Sequence, residues 1–248
     1  MIDENRLIPF SLPVLAAVAY LLSKSQNMFV NFILWHFQMG FHELGHAIAA
    51  WMTGQIAIPT YAYTVTFGPS EVFYAAFLFG LSFAAYYFLK ENSYYLAGIS
   101  RSLILISLIL RVFTSHSVHL MIFSLGGFLG EIIISTTLIC GFYFHFPNKF
   151  RWDFFRYFFV LISFFVLFKS NHIWTRAQKS PGHLPMGGTI MSETEQSDTE
   201  KLLDSGYWTG KTLPAILVRT HKICFVLITL HYLVGLVMIS PTSKPKST

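Results

Sequence analysis

Seven runs of mostly apolar residues, each close to the length a helix needs to cross a bilayer, constrain this chain more than any other feature. They are residues 7–23, 28–52, 72–89, 94–113, 119–146, 152–168 and 213–239. A hydrocarbon core takes roughly 20 residues of helix, because only a helix satisfies its own backbone polar groups there. Apolar residues make up 54% of the chain and charged residues 12%, where soluble domains are about a quarter charged. A water-soluble globule could not hide that much apolar surface. The expected fold is an all-α polytopic membrane protein with about six to seven transmembrane helices. The net charge of +5 forms no basic stripe but sits at the ends of apolar runs, so nucleic acid is excluded as a partner and the lipid bilayer is expected. Cys140 and Cys224 lie inside apolar runs and read as small core residues.

Two stretches are not spans. Residues 53–70 are rich in β-branched and aromatic residues, punctuated by Pro59 and Gly68-Pro69, with Tyr61, Tyr63, Val65 and Phe67 alternating. That pattern predicts a strand or hairpin, placed at the membrane rim. Residues 171–212 form the long polar stretch, where Ser197-Asp198-Thr199-Glu200 reads as a capping box opening a short helix that stops at Gly206. The organisation expected is a membrane core over 1–170, a polar loop over 171–212, and a last transmembrane helix with its tail over 213–248. Lys24, Lys90, Lys149, Arg151, Arg156, Lys244 and Lys246 mark loops of one parity, which predicts a cytoplasmic C-terminus in a cell inner or plasma membrane. The 171–212 loop then shares a side with residues 53–70, although its own Arg176 and Lys179 argue the other way.

The second run contains His42-Glu43-Leu44-Gly45-His46. On a helix, positions i and i+4 share a face, so both imidazoles reach one metal ion while Glu43 stands one step round. HExxH arises by chance in about one such sequence in a hundred, so its setting carries the weight. Two histidines and a glutamate inside an apolar span cost several kcal/mol, and bound metal gives a reason to tolerate that cost. Neutral imidazole suits Zn²⁺, and a catalytic zinc takes three protein ligands and a water. His36 lies off the face shared by His42 and His46.

HELGHA inside an apolar helix, followed by small residues and then by the 53–70 strands, resembles the site-2 protease family of intramembrane zinc metalloproteases. The resemblance spans about residues 30–70. It implies zinc-dependent cleavage of membrane-spanning or membrane-associated protein substrates, with His42 and His46 as ligands and Glu43 as catalytic base. Family members take a third ligand from an Asp, usually in an Asp-Gly pair, which this sequence lacks.

The third ligand is therefore open among three carboxylates. Asp198 belongs to the polar stretch expected on the side of His46. The surrounding Leu184-Pro185-Met186-Gly187-Gly188 and Ser197–Leu203 segments resemble a pattern in membrane relatives of this protease type. Glu131 follows Gly126, Gly127 and Gly130, which would let its helix approach another closely, at about the depth of His42. These two stand nearly level. Asp153 follows, because its position at the far rim is wrong. Tyr61, Tyr63 and Val65 are the candidate substrate-binding residues, through edge pairing with an unwound substrate. The alternative function is a metal-binding membrane protein for transport or scaffolding, without hydrolysis.

Overall fold

The computed structural model describes residues 4–144, 153–186 and 196–239. Eight α-helices lie in this part: α1 Glu4–Lys24, α2 Met28–Met52, α3 Glu71–Lys90, α4 Tyr94–Phe113, α5 His116–Gly141, α6 Asp153–Lys179, α7 Asp198–Asp204 and α8 Thr212–Ile239. One antiparallel hairpin, β1 Gln55–Pro59 with β2 Thr64–Pro69, joins α2 to α3. This is an all-α protein with membrane-spanning character.

Among the described residues, five helices are long and apolar enough to cross a membrane: α3, α4, α5, α6 and α8. That is fewer than the seven runs expected. Asn31, His36, Gln38, His42, Glu43 and His46 dilute the apolar character of α2, and of α1 only Phe10–Lys24 falls among the residues whose side chains are described. A second difference concerns direction. Tyr20 packs edge-on against Phe168 at 5.7 Å, and Lys24 Nζ lies 3.3 Å from His172 Nδ1. Contacts one turn apart on both helices mean that α1 runs alongside α6 in the same sense. Strict alternation of seven spans sets them opposite. The polar stretch expected from residue 171 also begins later, because α6 continues to Lys179, and its basic end meets that of α1 rather than lying across the membrane from it.

Local chemistry explains the boundaries. Asn27 caps α2 by accepting from Val30 N at 3.1 Å. The helix ends at Gly54, whose φ of +82° suits glycine. The predicted capping box is present at α7, where the Ser197 hydroxyl accepts from Glu200 N and the Glu200 carboxylate accepts from Ser197 N. Gly206, with φ +74°, follows that helix.

The helices α2 and α5 approach closely because glycine faces glycine. A Cβ on Gly45 would strike the Gly126 carbonyl and Gly130 Cα, and one on Gly130 would strike Gly45 Cα. Between helices in lipid there is no hydrophobic drive, so close backbone approach of small residues supplies dispersion contact instead. The main apolar core lies where α5, α6, α7 and α8 meet, around Phe165, Trp174, Leu202, Leu213 and Leu217.

The hairpin packs against the helix it follows. It folds back along α2: Tyr61 meets His36 with ring centroids 4.8 Å apart, and the Thr64 hydroxyl reaches Glu43. Its turn is held by Thr60 N donating to Tyr63 O. Tyr61 and Tyr63 therefore belong to the turn, not to a strand, while Val65 lies in β2 opposite Ile58.

Candidate metal site

His42 and His46 lie one turn apart on α2, and α5 passes directly beneath them. Both are buried, at 8% and 4% exposure. Each Nδ1 is already engaged. His42 Nδ1 donates to Glu131 Oε1 at 3.0 Å, and His46 Nδ1 donates to the Phe123 carbonyl at 2.7 Å. Bonds on Nδ1 orient each ring and leave both Nε2 atoms directed at a third group, the arrangement that metal-ligating histidines adopt.

That group is Asp198. Its Oδ2 lies 3.2 Å from His42 Nε2 and 2.9 Å from His46 Nε2. One ligand atom from each of the three residues lies within 4.8 Å of the others, compatible with a tetrahedral ion at about 2 Å from each. Two imidazole nitrogens and one carboxylate form a donor set suited to Zn²⁺. Asp198 stands on α7, outside the spanning helices. Burial works against its charge, but contact with His42 and His46 outweighs this and holds the carboxyl well below the usual carboxylate range. Its position rests on the capping box and on Leu202, which is fully buried one turn later. Burying a leucine supplies about 1.5–3 kcal/mol to hold the short helix in place.

Gly127 completes the pocket. A Cβ there would fall inside van der Waals contact of both Nε2 atoms, so only glycine leaves the space between the imidazoles open.

The candidate residues separate cleanly by position. Glu131, buried at 5% exposure, lies on the Nδ1 side of His42. It also accepts from Gln38 Nε2 at 3.2 Å. It is therefore an orienting partner of the imidazole rather than a member of the three-residue group. Asp153 opens α6 in the backbone, and its side chain lies outside the described residues, as do Gly187 and Gly188. Glu43 is 5% exposed; its Oε2 and its own carbonyl both accept from the Thr64 hydroxyl at 2.9 Å. His36 stays apart, as its helical position implied, with Nδ1 donating to Phe32 O at 2.6 Å.

Sequence reasoning passed over Gln38, Phe123 and Thr64. Gln38 carried a usable signal, because it stands four residues before His42 on the same helical face. A carbonyl such as that of Phe123 carries no signal, and Thr64 is brought to Glu43 only by the fold of the hairpin.

Comparison with protein-family models, with curated proteins and with solved structures finds no match.

Proposed function

We propose that this protein is a zinc-dependent intramembrane endopeptidase of site-2 protease type, acting on membrane-spanning or membrane-associated proteins. The observation that carries this reading is the convergence of His42, His46 and Asp198 from helices far apart in sequence, with Glu43 beside the first histidine. On this reading α2 lies within the membrane, with His42 and His46 facing α5 and α7 and Glu43 facing β2 rather than lipid. The C-terminus is cytoplasmic.

His42, His46 and Asp198 are the proposed ligands. Bound zinc would supply an acidified water, with pKa near about 7, and polarise a carbonyl. The chain's own groups do the rest. Glu43 takes the proton at its carboxylate as the water oxygen attacks the peptide carbonyl carbon, and returns it to the departing amine nitrogen as the C–N bond breaks. The Thr64 hydroxyl holds the Glu43 carboxylate in one orientation. Glu131, itself held by Gln38, fixes the His42 tautomer so that Nε2 presents its lone pair.

Substrate must arrive extended, because a helical segment keeps its carbonyls in hydrogen bonds. Trp51 Nε1 donates to Ala57 O at 2.8 Å, which blunts the outer edge of β1. The outer edge of β2 is left for pairing, with the backbone of Thr64 and Thr66 facing outward by register with Pro59 and Ala57. Val65 keeps its proposed place in this clamp, whereas Tyr61 and Tyr63 contribute from the turn.

The test compares wild type with Glu43→Gln for zinc content and for cleavage of a reconstituted single-span substrate. Retained zinc with cleavage lowered at least 100-fold supports the endopeptidase. Undiminished cleavage ends it, and stoichiometric metal with no cleavage by wild type favours metal handling.

A further inference from the structure

A second feature lies outside the proposed metal site. Between α2 and α6 runs a cavity of about 340 Å³, walled by Phe32, Trp35 and Phe165. Phe32 and Trp35 are exposed at 59% and 38%, so the cavity is a groove opening on the outer face of the helices. Its polar lining comes from Asn31, Lys169 and Gln38.

The surroundings of Lys169 are strongly cationic. Lys169, His172, Arg176 and Lys179 recur at three- and four-residue spacing and so share one face of α6. All three cations act electrostatically on His172, as does Lys24, whose Nζ lies 3.3 Å from it. Among the described residues none of these four cations has a carboxylate within ion-pair distance. Asn31 also lines the groove. Its Nδ2 donates to Ser25 O at 2.7 Å, one residue from Lys24, but its Oδ1 is buried and accepts no hydrogen bond.

We infer that this groove binds an anionic glycerophospholipid of the bilayer. The phosphate lies against Lys24, Lys169 and Arg176, and an acyl chain runs between Phe32, Trp35 and Phe165. Apolar walls open on the outer face select an amphiphile, and four cations with no ion-paired carboxylate among the described residues select an anionic one. Occupancy also matters to the metal site. Gln38 lines the groove and donates to Glu131, which orients His42. A bound chain covers Gln38 and keeps water from this buried hydrogen-bonded series. The binding itself does not depend on the endopeptidase reading.

The experiment uses full-length protein in nanodiscs containing equal phosphatidylglycerol and phosphatidylcholine, with retained lipids counted by native mass spectrometry after transfer to detergent. Wild type is expected to keep one phosphatidylglycerol. Lys169→Gln should lower its retention about fivefold, the equivalent of one cation at about 1 kcal/mol. Arg176→Gln, at an exposed position near the end of α6, should act likewise and carries the test if Lys169→Gln loses helicity. Lys90→Gln, at the end of α3, should leave retention unchanged. Equal retention of the two lipids by wild type overturns the inference, as does a loss in Lys90→Gln matching that in the groove variants.

Discussion

Gly127→Ala is the sharpest perturbation of the proposed site, because it adds one methyl group at the place where both imidazoles point. A Cβ at Gly127 would overlap His42 Nε2 and His46 Nε2. The clash is with the tips of side chains rather than with backbone, so the rings can turn away and the helices can stay packed. Turning two rings off their rotamers costs about 1–3 kcal/mol. It also sacrifices the Nδ1 bonds to Glu131 and the Phe123 carbonyl, each worth about 1 kcal/mol. The sum, about 3–5 kcal/mol, falls on the metal-binding conformation and corresponds to a loss of zinc affinity of at least ~100-fold. The assay is zinc per protein by plasma mass spectrometry across a chelator titration, with helicity followed by circular dichroism. Gly80→Ala on α3 is the control: nothing lies within 4 Å of its Cβ, and it should be neutral or stabilising by up to about 1 kcal/mol. If Gly127→Ala holds zinc at the same chelator concentration as wild type, the ion does not sit between these imidazoles and the argument fails.

Other expected outcomes follow from single contacts. Glu131→Gln should weaken zinc binding about 10–100-fold while leaving the fold intact, measured by the same titration; Asp198→Asn should exceed that loss, and the reverse order would exchange the roles assigned to the two carboxylates. Thr64→Ala should retain zinc and slow cleavage, because Glu43 loses the hydroxyl on Oε2, and kcat on a reconstituted substrate reads the effect. Thr66→Pro should abolish cleavage without zinc loss by removing an outward N–H from β2, whereas unchanged cleavage would exclude pairing at this edge. Leu202→Ala should cost about 2–5 kcal/mol in the anchoring of α7, visible as lower zinc content without loss of the spanning helices.

The membrane character, the helices and the face shared by His42 and His46 were legible along the chain, because apolar run length and helical spacing are local properties. The capping box at Ser197 was legible for the same reason: four consecutive residues contain the whole device. The glycines of α5 signalled close approach, and Gly126 and Gly130 do meet Gly45. The use of Gly127 was hidden, since a single step of about 100° round the helix, from Gly126 to Gly127, decides whether a glycine faces a backbone or an imidazole.

What the sequence determined by itself was that two imidazoles share one helical face, with an acid one step round the same helix. Tertiary structure alone separated Asp198 from Glu131. Both are acids near glycines or turns, but α7 brings one to the Nε2 side while α5 carries the other to Nδ1. A side's worth of difference on one ring depends on the crossing of α2 with α5 and the docking of α7 through Leu202. Those are contacts between residues some 80 to 160 positions apart, and no local pattern encodes them.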